Sequence, residues 1–294
     1  MNLTQYKERN IGRTGLLLGV FFLVVLGLGW VLSYVFNSRD IFVFAVLFSV
    51  GMSAMSYWFS DKLALAFAKA EPIQREDNAE LWDTVQRLAT AAKLPMPRLY
   101  LTPEPQINAF ATGRDPAHAA VAVTMGALTK LTPSELEGVL AHELSHVANR
   151  DMLVSTVAVV LAGIISMLAD VFLRMLWFGG DDNRDSRSGW LMLAGVALSI
   201  LAPVGAMLIQ FAISRQREAL ADVSGVELTH APQGLIEALK KIAADRTPML
   251  SVKSSTAHLW IADPFKDKSP WWHTLFKTHP PLDERIAALE KISR

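Results

Sequence analysis

Residues 132–151 read T-P-S-E-L-E-G-V-L-A-H-E-L-S-H-V-A-N-R-D, and this stretch carries the strongest structural signal in the chain. Thr132 and Glu135 form a capping-box pattern with a proline between them, which predicts that a helix begins here. His142 and His146 are four residues apart, so they would lie on one face of that helix. Two imidazoles placed in this way can bind a single metal ion.

Glu143 stands between these histidines, which completes the H-E-x-x-H pattern of zinc peptidases. Zinc lowers the pKa of a water molecule to about 7, and a glutamate at this position can take the proton from that water. Such a site needs a third ligand. One known pattern places a histidine six residues after His146, but Met152 stands there. We therefore expect Glu218 as the third ligand, with Asp222 one turn later accepting the free N–H of a ligating histidine.

The composition limits the possible metal ligands and indicates the class of protein. The chain has 294 residues, of which 51% are hydrophobic and 19% are charged, whereas a soluble domain carries about a quarter charged residues. These values indicate a membrane protein. There is no cysteine, so disulfides and thiolate metal sites are excluded, and a metal must be bound by His, Asp or Glu. The formal net charge is zero, and nothing indicates nucleic acid as a partner.

Four apolar segments are long enough to cross a bilayer, which takes about 20 helical residues. These segments are residues 15–36, 41–59, 152–178 and 190–213. The predicted organisation is a transmembrane hairpin at 1–60, a first catalytic part at 61–151, a second transmembrane hairpin at 152–213 and a second catalytic part at 214–294. In the first catalytic part, the pattern predicts a helix at 78–93 and short strands at 98–101, 108–113 and 119–123.

Lysine and arginine are concentrated before the first span, between the second and third spans, and after the fourth. Because cytoplasmic segments are rich in basic residues, both termini and both catalytic parts are predicted to be cytoplasmic. Taken alone, the charged stretch around Glu218 is equally typical of a solvated surface helix. However, His146 precedes the third span by six residues and Glu218 follows the fourth by five. Both would therefore lie at the same membrane surface, which favours Glu218 as a ligand.

The order of these motifs resembles the HtpX family of bacterial membrane-bound zinc proteases, which is related to the CAAX prenyl endopeptidases. The metal motif alone is shared by many zincins, but the combination is specific and covers most of the chain. In chain order, the shared features are a pair of spans, N-A-F-A-T-G at 108–113, the metal motif followed by N-R-D at 149–151, a second pair of spans, the acidic pair at 218 and 222, and T-H-P-P at 278–281.

The resemblance implies roles that composition and spacing leave open. An edge strand would bind an extended substrate through its backbone, although composition alone indicates an ordinary strand and turn. The residues assigned to that strand are Asn108, Ala109, Phe110 and Ala111. His279 would help to stabilise the tetrahedral oxyanion, although without the family it is a loop residue. Arg285 would either support the cleft or pair with a surface acid such as Asp283.

The sequence therefore predicts a mainly α protein, with an α+β zincin catalytic domain of the gluzincin-like type and four transmembrane helices. The predicted activity is that of a metalloendopeptidase with one Zn²⁺ per chain and Glu143 as general base. The resemblance implies misfolded or damaged membrane proteins as substrates, cut on the cytoplasmic side of the bacterial inner membrane in quality control and the heat-stress response. Beyond the lipid bilayer and these substrates, the sequence leaves a homo-oligomeric state open.

Two other interpretations stay open from the sequence. A processing peptidase with a narrow substrate, such as a prenylated carboxyl terminus, would use the same chemistry. A non-catalytic membrane protein could instead hold zinc for structure alone. Structural zinc sites normally have four protein ligands, whereas three are predicted here beside a glutamate placed to act as a base. That difference favours an enzyme.

Overall fold

The computed structural model describes residues 3–35, 37–178, 197, 201, 215–250, 259–262, 264 and 281–293. Helices make up most of this part of the chain, and one four-stranded sheet lies among them. The prediction of a mainly helical protein with a small sheet is confirmed.

Two long helices form an amino-terminal hairpin: α1 is Leu3–Val35 and α2 is Arg39–Phe67. The turn between them contains Asn37, which has a left-handed φ of 47° and so reverses the chain within a few residues. By length and composition, Gly12–Tyr34 and Arg39–Phe67 can each cross a membrane, with mean hydropathies of 2.6 and 1.8. These helices correspond to the first two predicted spans.

The second helix is longer than the apolar pattern predicts. Ser60 and Asp61 interrupt the apolar run after residue 59, yet the helix continues to Phe67 because its inner face remains buried. Ala64 and Leu65 on that face pack against the sheet region. The hairpin is thus rigidly continuous with the catalytic part, because no loop separates the membrane helix from the residues that touch the sheet.

The sheet has the strand order β1-β2-β4-β3. Its strands are β1, Glu71–Pro72; β2, Arg98–Thr102; β3, Ala109–Thr112; and β4, Ala120–Thr124. Strands β2 and β4 are parallel, with Tyr100 opposite Ala122, and the other two pairs are antiparallel. Strand β3 lies at one edge, with Phe110 opposite Ala122. The three strands predicted from the sequence all occur, each displaced by at most a residue or two.

The remaining helices follow the sheet or connect its strands. Their bounds are α3, Ala79–Ala91; α4, Met125–Lys130; α5, Pro133–Ala148; α6, Asp151–Phe178; α7, Arg215–Thr229; α8, Pro232–Ala244; and α9, Leu282–Ile292. A short 3₁₀ turn, Pro116–His118, precedes β4. Helix α3 begins where Asn78 caps it, because the Asn78 side chain accepts a hydrogen bond from Leu81 N at 3.0 Å.

The main core lies between the sheet and the helices that carry the metal motif. Val121 and Val123 of β4 point into it, and Leu140 and Leu144 of α5 pack in the same cluster. On the opposite face of the sheet, Phe110 meets Trp260 edge-to-face, with ring centroids 4.7 Å apart. Since the residues of α5 around the motif are buried on this core, the position of the motif is fixed by packing.

Helices α5 and α6 meet at a sharp bend of 88°. Arg150 lies between them with a left-handed φ of 57°, which ends the first helix and redirects the chain. Helix α6 corresponds to the third predicted span, and it packs with α1 in an apolar cluster that includes Leu17, Phe21 and Leu161. The fourth predicted span, 190–213, lies outside the described residues except for Ala197 and Leu201, so the four-span arrangement stays a prediction.

Candidate metal centre

Helix α5 begins with the predicted capping box. Glu135 N donates to Thr132 Oγ1 at 3.4 Å, and Thr132 N donates to a Glu135 carboxylate oxygen at 2.7 Å. Lys241 of α8 adds an ion pair to the same carboxylate at 2.7 Å. The helix that starts here carries His142 and His146 on one face, where their ring centroids are 4.7 Å apart. The two histidines thus share one helix face, and their role as metal ligands stays a prediction.

A second helix, α7, brings the third candidate ligand to the same place. It crosses α5 at Gly225, where an added Cβ would lie only 3.1 Å from His142 N. A glycine at this crossing lets the two backbones approach closely enough for Glu218 to reach the histidines. His142, His146 and Glu218 form a group whose ligand atoms all lie within 4.8 Å of one another.

The spacing of these atoms suits a tetrahedral ion. The two Nε2 atoms of His142 and His146 are 3.2 Å apart. The carboxylate oxygens of Glu218 lie 3.7 Å from His142 Nε2 and 3.6 Å from His146 Nε2. Ligands placed 2.0–2.1 Å from a tetrahedral zinc would be separated by about 3.3 Å. With two imidazoles and one carboxylate, the donor set is that of a zinc site with one position open.

His142 is held from behind by a buried ion pair. Its Nδ1 lies 2.9 Å from Asp222 Oδ1, which leaves Nε2 facing the other ligands. Arg285 of α9 binds both oxygens of Asp222, at 2.6 and 2.9 Å. Burial alone would raise the pKa of Asp222, but the charge of Arg285 and the hydrogen bonds from His142 and Arg285 lower it to about 2. Asp222 is therefore a carboxylate at neutral pH and can accept a hydrogen bond from the imidazole Nδ1–H of His142.

His146 is held by a second carboxylate, which the sequence did not indicate as a partner. Its Nδ1 lies 3.2 Å from Asp151 Oδ2, at the start of α6. The other oxygen of Asp151 accepts a hydrogen bond of 2.7 Å from the side-chain amide of Asn10. Asn10 is a buried residue of α1, so the first membrane helix contributes directly to the surroundings of the metal centre.

Glu143 lies beside the ligands and is almost completely buried, with 3% of its surface exposed. In the part of the chain that the structure describes, its carboxylate forms no hydrogen bond or ion pair. The carboxylate is therefore available to a water molecule or substrate, in contrast to Asp222 and Asp151, which are committed to histidines.

The predicted substrate strand lies at the sheet edge, but its outer side is partly occupied. Ile261 N donates to Ala109 O at 3.1 Å. The side chain of Asn108 exchanges two hydrogen bonds with the backbone of Ala262, at 3.0 and 3.2 Å. Phe110 and Ala111 are buried. The residues of this strand are thus positioned on the core beside α5, and their role in binding substrate stays a prediction.

The fold and metal geometry can be compared with known proteins. The family model described as Peptidase family M48 matches residues 75–293, which is most of the chain and includes all of the candidate ligands. The chain belongs to peptidase family M48. Among its relatives, the protease HtpX homologue of Syntrophobacter fumaroxidans is 45% identical over 287 residues, covering 95% of this chain and 98% of that protein.

Other known proteins resemble the chain to different degrees. The HtpX homologue of Lactobacillus helveticus is 43% identical, with 99% of this chain and 100% of the relative covered. Among solved structures, the crystal structure of S. mikatae Ste24p is 20% identical with a TM-score of 0.47, covering 94% of this chain and 62% of that one. The resemblance to the HtpX family is confirmed, and the protein is a membrane-bound metalloprotease.

Within this M48 centre, sequence reasoning found some of the functional residues and missed others. The structure brings together His142, Glu143, His146, Glu218 and Asp222 as predicted. His279 lies outside the described residues. Arg285, left open between a cleft residue and a partner of Asp283, pairs with Asp222. Asp151 and Asn10 were missed, although the position of Asp151 just after the motif was a signal that could have been used.

Proposed function

We propose that this M48 protease is a zinc endopeptidase with one Zn²⁺ per chain, held by His142, His146 and Glu218. The observation that carries the proposal is the convergence of these three ligands beside a carboxylate, Glu143, that is not committed to any described partner. A structural zinc site would be expected to have a fourth protein ligand and no need of such a base.

In the proposed mechanism, each residue of the metal centre has a separate role. When bound, zinc supplies a Lewis acid that polarises the peptide carbonyl and makes water more acidic. Glu143 accepts the proton of the attacking water and delivers it to the leaving amine. Asp222 and Asp151 hold the Nδ1 protons of the two histidines, which keeps both Nε2 atoms directed at the ion. His279 is proposed to stabilise the oxyanion.

The proposed catalytic fold is a gluzincin-like zincin anchored by four transmembrane helices. Both termini and the metal centre would face the cytoplasm, at the inner membrane of a bacterium. Two helices of sufficient length and apolar character, together with the HtpX homologues, support the membrane assignment. The basic residues flanking the spans support this orientation.

The proposed substrates are cytoplasmic parts of misfolded or damaged membrane proteins, removed in quality control and under heat stress. An extended peptide would add to the sheet edge at residues 108–111, along the part of β3 that the hydrogen bond from Ile261 to Ala109 leaves open. Backbone pairing of this kind tolerates many sequences, which suits an enzyme that recognises unfolding instead of a defined cleavage site.

The test is cleavage of an unfolded soluble protein by the detergent-purified enzyme, beside the Glu143→Gln variant with its zinc content measured. We expect the parent to cleave, and the variant to be inert while retaining one zinc per chain. A variant that cleaves as fast as the parent would refute the role of Glu143. If neither cleaves while both bind zinc, endopeptidase activity on unfolded chains is refuted, and prenylated peptides would then separate a processing peptidase from a structural site.

A further inference from the structure

A cavity of about 720 Å³ lies where the membrane helices meet the catalytic part. It is bounded by α1, by the end of α2, by the turn that precedes β4 and by the junction of α5 and α6. None of the candidate metal ligands lines it. Its volume falls within the range of pockets that bind small molecules. The cavity is therefore separate from the metal centre.

The two sides of this cavity differ in chemistry. Gly15 and Leu18 of α1, with Leu153 of α6, form an apolar side that is continuous with the membrane helices. Apart from the adjoining residues of α1, no atom of the described ranges lies within 4 Å of the position that a Cβ would take at Gly15, nor at Gly12 or Gly19. Among the described residues, this face of α1 therefore leaves room for an acyl chain.

The opposite side is polar and basic. The Arg114 guanidinium lies 5.0 Å from the centre of the Trp58 ring, and its Nη2 is 2.6 Å from His118 Nε2. Asp115 belongs to the same group: its carboxylate holds His118 Nδ1 at 2.7 Å and forms an ion pair with Arg114 Nε at 3.5 Å. Arg150 lines the cavity and is exposed, and it forms no ion pair within the described ranges. The basic side of the cavity therefore consists of Arg150 and of Arg114, which shares Asp115 with His118.

A smaller cavity of about 370 Å³ continues the basic surface, since it shares Arg114 and His118. Lys62 and Arg98 line it, and Arg98 is paired with Asp61 at 2.6 Å. Across the two cavities, four cations face two carboxylates. The cations are Lys62, Arg98, Arg114 and Arg150, and the carboxylates are Asp61 and Asp115. The surface thus carries a formal excess of two positive charges and favours an anion.

The aromatic residues place this surface at the level of lipid headgroups. Tyr57 lines the larger cavity, and Trp58 and Phe59 line or border the smaller one. Trp58 and Phe59 are about half exposed, at 53% and 48%, directly before the first charged residues at the end of the apolar run of α2. Tryptophan and tyrosine are enriched at membrane interfaces, where their rings meet the headgroups.

We infer that the larger cavity binds an anionic phospholipid, with its phosphate between Arg114 and Arg150 and its acyl chains along the open face of α1. Basic pockets between transmembrane helices bind anionic headgroups in this way. A free phosphate would use the cations but would leave the apolar side unfilled. The combination of an apolar path and a basic mouth therefore identifies a lipid as the occupant.

The test uses the full-length protein in detergent, titrated with dihexanoylphosphatidylglycerol. Bound lipid is counted by native mass spectrometry, and the thermal unfolding midpoint is followed in parallel. Dihexanoylphosphatidylcholine and inorganic phosphate serve as comparison ligands. We expect saturable binding of one phosphatidylglycerol, with an increase in the midpoint that neither comparison ligand produces at the same concentration.

Two variants test the two sides of the cavity, and a third variant serves as a control. Each surface cation near a membrane strengthens the binding of an anionic lipid about fivefold, so Arg114→Gln combined with Arg150→Gln should weaken binding roughly thirtyfold. Arg75→Gln removes one charge from an exposed ion pair elsewhere and should leave binding unchanged. Gly15→Leu keeps every cation but fills the apolar side, where the structure has room for a side chain, and should abolish saturable binding.

Several results would overturn the inference. Binding of phosphatidylcholine as tight as that of phosphatidylglycerol would show an apolar groove without headgroup selection. Equal protection by inorganic phosphate would show an ion site only. Parent-like binding by the double arginine variant, or by Gly15→Leu, would place the lipid elsewhere. If the double variant of Arg114 and Arg150 fails to fold, Gly15→Leu still tests the proposal. Its unfolding midpoint without lipid, equal to that of the parent, shows that this variant is folded.

Discussion

Removal of Arg285 should expose how strongly the metal centre depends on its buried ion pair. Arg285 and Asp222 are each 4% exposed and are joined by two short hydrogen bonds. The lowering of the Asp222 pKa to about 2 corresponds to roughly 2–3 kcal/mol of stability at neutral pH. Because the folded-state pKa lies below the unfolded value, this contribution is complete above about pH 4 and is lost as the pH falls towards 2.

In Arg285→Met, a buried carboxylate would remain without its partner. Breaking a buried pair on one side typically costs about 3–5 kcal/mol, which exceeds the pKa contribution because the hydrogen bonds and packing of Arg285 are also lost. For a chain of this length, that loss should lower the thermal midpoint by roughly 5–8 °C. The measurement is thermal unfolding of the zinc-free protein in detergent micelles, so that metal binding does not contribute.

Two further variants make this prediction specific. Arg285→Met combined with Asp222→Leu removes both charges and should be less destabilised than Arg285→Met alone, because the Asp222 carboxylate is no longer buried without its partner. Arg87→Met breaks the exposed pair with Glu137 and should cost about 1 kcal/mol or less. The reasoning is wrong if Arg285→Met is no less stable than Arg87→Met, or if the double variant is at least as destabilised as Arg285→Met alone.

Two other predictions concern helices α1 and α5. Asn10→Leu should weaken zinc binding about 10–100-fold in competition with a chelator, because Asp151 loses the hydrogen bond that orients it towards its histidine. Ser49→Ala, which removes a buried hydrogen bond within α2, should leave zinc affinity unchanged. Gly138→Ala should destabilise the protein by about 1–3 kcal/mol in thermal unfolding, because its Cβ would lie 2.5 Å from Leu235 N. Gly51→Ala has open space at that position and should be neutral or slightly stabilising.

Each of these predictions has a result that contradicts it. Zinc affinity in Asn10→Leu equal to that of Ser49→Ala would show that α1 does not support the metal centre. Equal thermal midpoints for the two glycine variants would show that α5 and α8 can separate without cost.

The sequence predicted the elements whose signals are local. The capping box fixed the start of α5, and the apolar runs located α1, α2 and α6. Strand β1, Glu71–Pro72, was missed because two residues contain no alternation to recognise. The extension of α2 beyond residue 59 was also missed. Its polar positions follow the apolar run, and their burial depends on contacts with the sheet that no local pattern contains.

The difference between local and long-range signals also explains which residues of the site the sequence predicted. His142 and His146 share a helix, and Asp222 follows Glu218 by one turn, so spacing placed each pair on one helical face. The order of the apolar segments then indicated that the two helices lie at the same membrane surface. Asn10 is 141 positions away from Asp151, and its amide is typical of many surface positions. Only the packing of α1 against the start of α6 brings the two together, which is why spacing could not identify that contact.

The contacts of the metal centre extend over almost the whole length of the chain, so the residues that form them are translated at very different times. Asn10 is translated 275 residues before Arg285. A nascent chain therefore already contains the H-E-x-x-H helix long before it contains the arginine that neutralises Asp222. The complete set of supporting contacts cannot form until Arg285 has been translated and α1 has met the start of α6. A partly made protease thus lacks the finished centre until the segment that carries Arg285 has been added.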